Sequence, residues 1–259
     1  MKSIKSFLNR SVAGKPIQLA KSKMNASEIV RLSGGRPPVK TVYCISPYKT
    51  GTTYLSLCYT DTVALHEPYH LVTLKNLPQN FDEFFIQRNA ALNVQLECSG
   101  FWSGYIPELQ QHDFAKELDY MAVLRSPVAW INSLVNHWSI IRASNRFDYI
   151  NEFFWKQKLG IDLALPVKKG LEAHSEIEAL GEFYMNYLEQ VKSFKHIDFV
   201  QIKDLDAYLQ VLDQKLGVKS QPNKSWKRKA VTKDFVYENE ELETRYQEFL
   251  KTIDLFRPN

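Results

Sequence analysis

Three short stretches of the chain gather residue types that hold anions and move protons. In Ser46-Pro47-Tyr48-Lys49-Thr50-Gly51-Thr52-Thr53, a lysine, a glycine and several hydroxyl side chains follow one another directly. Lys49 offers a compact full charge, and Gly51 lets the backbone come close to an anion. Thr52 and Thr53 add hydroxyl donors at a helix start, where free backbone N–H groups already favour negative charge. The spacing is not that of a Walker A loop, GxxxxGK[ST]: Thr52 stands where that loop has its lysine, and Lys49 precedes the glycine. In Leu124-Arg125-Ser126-Pro127, a planar guanidinium suited to phosphate ends an apolar run, and Ser133 follows about two helical turns later. In His66-Glu67-Pro68, two side chains able to take a proton stand side by side.

Each stretch lies where a strand gives way to a loop or helix. The apolar, β-branched run 40–45 reads as a buried strand, and 52–59 as the helix after the lysine loop. Further strands are expected over 62–65, 92–96, 119–124 and 197–202. They place His66 and Glu67 after the second strand, Glu97 at the end of the third and Arg125 at the end of the fourth. Helices are expected over 126–145, 175–195, 205–216 and 238–253. Val128, Ile131, Val135 and Trp138 give the first of these an apolar face, with Ser126 fitting its N-cap and Pro127 its first turn. Strands alternating with helices predict an α/β fold, a mostly parallel sheet with helices on both faces. Arg125 then sits at the carboxyl edge of the sheet, where open α/β folds bind ligands.

At 259 residues the chain fits a single α/β domain, 39–259, behind a basic N-terminal arm, 1–38. A composition of 44% hydrophobic and 24% charged residues supports a packed core rather than a disordered chain. A net charge of +4 favours an anionic ligand and is too weak to imply nucleic acid. Cys44, Cys58 and Cys98 are scattered, which argues against a disulfide framework and a zinc site and for a reducing, cytoplasmic setting. No apolar run reaches the roughly 18 residues that span a bilayer. The first acidic residue is Glu28, so the arm reads as a solvated basic segment, a transit peptide or a helix making weak contact with a membrane surface.

The first two stretches resemble the donor-binding motifs of the sulfotransferases that use 3′-phosphoadenosine 5′-phosphosulfate. The 5′-phosphosulfate loop of that family is close to P-K-[ST]-G-T-[TS]; Pro47-Tyr48-Lys49-Thr50-Gly51-Thr52-Thr53 matches it with one extra residue, Tyr48. Its 3′-phosphate motif has an arginine after a strand, a proline soon after, and a serine 8 residues beyond the arginine, as Arg125, Pro127 and Ser133 stand here. The resemblance implies a P-loop-type fold and donor binding by Lys49, Thr50, Gly51, Thr52, Thr53, Arg125 and Ser133. It also implies in-line transfer of a sulfuryl group to a hydroxyl or amine, without a metal. Lys49 would stabilise the leaving phosphate oxygen.

The triplet His66-Glu67-Pro68 is similar to one that follows this strand in several carbohydrate sulfotransferases. It implies Glu67, then His66, as the base, and a glycan or glycolipid as acceptor. Glu97 is a further base candidate, His137 reads as structural, and the aromatic stretch 97–105 is expected to line the acceptor pocket. The densest basic run, Asn223–Lys229, lies where many sulfotransferases close a segment over the donor, although it lacks the R-K-G pattern. Arg228 or Lys229 would touch donor phosphate there, and Trp226 would stack on adenine or pack in the core. Two other readings fit the same residues: a nucleotide kinase or NTPase with an atypical phosphate loop, and a non-catalytic nucleotide-binding homologue.

Overall fold

The computed structural model describes residues 26–141, 144–222 and 234–258. Five short apolar runs form strands: β1 Val42–Cys44, β2 Ala64–His66, β3 Leu96–Cys98, β4 Tyr120–Leu124 and β5 Ile197–Gln201. All of them pair in parallel, in the order β2-β3-β1-β4-β5, which gives the α/β architecture expected from the sequence. Parallel strands need crossover connections. These are supplied by α2 Thr52–Leu57, α3 His70–Asn76, α4 Phe81–Leu92, α5 Ile106–Gln111, α6 Pro127–Ile141, α7 Asn145–Ile150, α8 Ala164–Lys169 and α9 His174–Val191, with a π-helical turn at Asn151–Lys156, while α1 Ala26–Ser33 precedes the first strand and α10 Leu205–Leu216 and α11 Glu240–Leu250 follow the last.

Alternation along the strands splits the core in two. Tyr43, Tyr120, Ala122 and Leu124 face the larger layer, with Phe85 of α4, Trp130 of α6 and Leu180 of α9. Val42, Cys44, Met121 and Val123 face the thinner layer, made by Leu55 of α2 and Leu205, Leu209 and Leu212 of α10. Cys44, Cys58 and Cys98 are free thiols buried in that thinner layer.

Several element boundaries differ from the sequence reading, most of all at β3 and β2. The run 92–96 divides, because Leu92 closes α4, Asn93 caps it in the left-handed conformation (φ 47°), and β3 begins only at Leu96. β2 runs on to include His66. Within the stretch read as an arm, α1 packs on α4, and its Ile29 is fully buried in the large core. Among the described residues no helix is long and apolar enough to cross a membrane.

Chain order reverses between β1 and its neighbour β4. The connection from β1 leads to β2 at one edge of the sheet, and that from β4 leads to β5 at the other. The loops after β1 and β4 therefore leave adjacent strand ends in opposite directions, the switch point at which open α/β sheets bind ligands. The segment 223–233, with Arg228 and Lys229, lies outside the described residues. After it, 234–239 runs extended along α6, held by two asparagines one turn apart. Asn132 Nδ2 donates to the Tyr237 carbonyl (2.8 Å), and its Oδ1 accepts from the Tyr237 amide (2.8 Å). Asn136 grips Phe235 in the same way, at 2.7 and 3.1 Å.

Candidate active site

The loop after β1 is fixed from below by three hydrogen bonds. Ser46 Oγ accepts from the amide of Val123 on β4 (2.6 Å), and Trp130 Nε1 donates to the Tyr48 carbonyl (2.7 Å). Thr50 is fully buried and donates its hydroxyl to the Pro47 carbonyl at 2.7 Å, so its side chain is committed to holding the loop. Gly51 has φ 110°, and a Cβ there would lie 3.0 Å from Leu205, so both backbone shape and the approach of α10 demand glycine. Since α2 has only 6 residues, an anion bound here would rely on Lys49, Thr52, Thr53 and the loop amides rather than on a long helix dipole.

Arg125 projects from the neighbouring strand end. Its backbone is clasped by Tyr184, whose hydroxyl accepts from the Arg125 amide (3.1 Å) and donates to its carbonyl (2.6 Å). Its Nη1 donates to the Lys49 carbonyl at 3.1 Å, so the two loops meet at the switch point. Burial lowers the Arg125 pKa from its ordinary value, and an anion would offset that loss of water. Ser126 caps α6 through the Ala129 amide (3.3 Å), and Ser133 sits half-buried about two turns along the same helix. His137 packs edge-on against Trp138, at 5.2 Å between ring centres.

A titratable cluster lies beside the lysine loop. His66 Nε2 is 3.0 Å from Thr53 Oγ1, 3.4 Å from Thr52 Oγ1 and 3.8 Å from Glu67 Oε1. Glu67 Oε2 meets Arg146 Nη2 and lies 3.3 Å from His70 Nδ1, while His70 Nε2 is 2.7 Å from the Tyr48 hydroxyl. Burial pushes the Glu67 carboxyl up, but His66, His70, Arg146 and Lys49 outweigh it and bring its pKa down to about 2. Burial likewise pushes His70 down to about 3 against the pull of Glu67, so its ring is neutral at pH 7. Glu67 is thus a fixed anion and a weak proton acceptor, and His66 is the better-placed base. Three residues here, Lys49 (φ 72°), Glu67 (φ 48°) and Tyr69 (φ 53°), hold left-handed backbone without being glycine. Such strain persists only where its surroundings enforce it, and it gathers at functional sites.

Glu97 belongs elsewhere. It lies within β3, fully buried, and its oxygens take Arg88 Nη1 and Nη2 at 2.6 and 2.8 Å as well as Ser99 Oγ and Trp102 Nε1. Phe101, Trp102 and Tyr105 are likewise buried. The stretch expected to line an acceptor pocket is core, because a sealed arginine–carboxylate pair and packed rings leave no open wall.

Of the sequence candidates, Lys49, Thr52, Thr53, His66, Glu67 and Arg125 come together, with Gly51 shaping the loop. The sequence reading missed three members of the cluster. Tyr48 showed only as an extra loop residue, His70 only as a histidine one helical turn after Glu67, and Arg146 gave no signal at all. Among the described residues no group of three or more His, Cys, Asp or Glu is arranged to hold a metal ion.

No protein-family model and no curated protein matches the chain. Among solved structures, it is similar to the crystal structure of a sulfotransferase from Alicyclobacillus acidocaldarius, at 14% identity and a TM-score of 0.46, over 83% of this chain and 92% of that one.

Proposed function

We propose that the protein transfers a sulfuryl group from 3′-phosphoadenosine 5′-phosphosulfate to a hydroxyl or amine, with a glycan or glycolipid as the acceptor class. One contact carries this reading: the Arg125 guanidinium donates to the Lys49 carbonyl, which brings the two loops that would bind the donor's phosphates together at adjacent strand ends. A nucleoside with phosphate groups at both its 3′ and 5′ positions is a ligand that such a pair of cradles fits. Arg125, with Ser133 behind it, takes the 3′-phosphate; Lys49, Thr52, Thr53 and the amides around Gly51 take the 5′-phosphosulfate.

In the transfer, the acceptor oxygen or nitrogen attacks sulfur in line. The bond from sulfur to the 5′-phosphate oxygen breaks, and the electron pair leaves on that oxygen, where the Lys49 ammonium stabilises it. His66 Nε2 takes the acceptor proton once the hydroxyls of Thr52 and Thr53 have turned to the phosphate. Glu67, ionised beside it, stabilises the imidazolium that forms.

Calorimetric titration tests the reading. 3′-Phosphoadenosine 5′-phosphate should bind, and Arg125→Ala should weaken it about 10- to 100-fold, the worth of a hydrogen bond to a charged group, while leaving adenosine 5′-phosphate nearly unaffected. Equal losses for both nucleotides, or tighter binding of ATP with magnesium, would overturn it.

A further inference from the structure

Tyr48 belongs to the lysine loop, yet its side chain turns inward and is only 4% exposed. The ring stands edge-on to Phe154, with centres 5.2 Å apart, above Gly100, where a Cβ would come within 2.5 Å of Tyr48 Cδ1. That packing delivers the hydroxyl to His70 Nε2 at 2.7 Å. The His70 ring is stacked on Phe101, with planes 22° apart, and its other nitrogen, Nδ1, lies 3.3 Å from Glu67 Oε2 and 3.4 Å from Arg146 Nη2. Arg146 already donates to the Glu67 carboxylate, so a proton on Nδ1 would add a second donor to Oε2 and leave Nε2 to accept from Tyr48. Burial holds the Tyr48 phenol well above its ordinary pKa, so it keeps the proton it donates. Arg146 holds the same Glu67 oxygen as His70, and the other oxygen, Oε1, is the one turned to His66.

We propose that Tyr48 and His70 are positioning residues: the Tyr48 hydroxyl fixes the His70 tautomer, and His70 with Arg146 holds Glu67 so that Oε1 faces His66. The inference rests on the assignment of His66 as proton acceptor in the transfer reaction. It makes Tyr48 the joint between two functions, because Trp130 grips its carbonyl within the lysine loop while its side chain orders the base cluster. The charged and titratable groups acting on this chain are His66, Lys49, Arg146, Arg88 and Tyr105.

Tyr48→Phe keeps the ring packing and removes only the hydroxyl. It should lower kcat about tenfold, change the KM for the donor less than about twofold, and move the acid limb of the kcat profile to lower pH as Oε1 loses its aim. In a second pair of variants, His70→Asn keeps a donor where Nδ1 stands, whereas His70→Gln keeps an acceptor where Nε2 stands. His70→Asn should retain more of the rate. Long-range nitrogen–proton NMR of the uniformly labelled protein reads the tautomer without any turnover, and should show the His70 proton on Nδ1 in the parent and divided between both nitrogens in Tyr48→Phe. A proton on Nε2 in the parent, an unchanged kcat and pH profile in Tyr48→Phe, or a His70→Gln as active as His70→Asn would each overturn the proposal. If the parent fails to bind 3′-phosphoadenosine 5′-phosphate, the transfer reading falls, while the tautomer result still decides whether the chain exists.

Discussion

Glu97 lies in β3 and Glu67 just past the end of the neighbouring β2; both are carboxylates paired with an arginine, in opposite surroundings. Glu97 has every oxygen met by fixed donors, and it and Arg88 are both fully buried. Glu67 stands in a left-handed turn, its arginine is 55% exposed, and its other neighbours are two histidines. Closed satisfaction makes one carboxylate part of the scaffold. Titratable company makes the other a candidate for chemistry. A buried acid is thus informative about chemistry only when its partners can change state or position.

The sharpest way to break this contrast is Arg88→Ala. It strands Glu97 in the core and should lower unfolding stability by about 3–5 kcal/mol in urea titration. A loss below about 1 kcal/mol would mean the pair is not the sealed device described. Next comes acid. The Glu67 pKa is depressed in the folded state, so its contribution is complete above the ordinary carboxylate value of 4.5 and is lost as pH falls toward about 2. On the order of 3 kcal/mol should disappear across that window, and Glu67→Gln should flatten this part of the stability curve. His66→Ala should cut kcat about 100-fold while changing stability by less than about 1 kcal/mol, since the ring is partly exposed. An equal fall in stability would put the cluster in the class of Glu97. The smallest effect is expected from Gly100→Ala, whose Cβ would come within 2.9 Å of the Tyr48 Cα. It should cost about 1–2 kcal/mol in thermal melting and lower turnover by moving Tyr48, leaving the Arg88–Glu97 pair in place.

The sequence revealed strands wherever an apolar run met an abrupt break, which is why the lysine loop and Arg125 were found in place. It misled where burial is polar. α4 turns Arg88 and Asn89 inward beside Phe84 and Phe85, so no apolar stripe marks it, and its last leucine merged with the following strand. Lys49, His66 and Glu67 were legible because each is local to a strand end. His70 and Arg146 were not, since Arg146 reaches Glu67 across 79 positions of chain, a proximity that only the folded sheet and α7 create. Glu97 was legible as a carboxylate, but its confinement by Arg88 was not.

The asparagine pair on α6 matches two different rulers. Four residues of helix advance about 6 Å, and two residues of extended chain advance nearly 7 Å, so amides four positions apart can read alternate residues of a passing segment. Because only main-chain groups are read, side chains at 235 and 237 are free to vary as far as this grip is concerned. Slippage by a single residue would present the wrong peptide to both amides at once. The helix therefore works as a ratchet tooth that sets the register at which the chain enters α11.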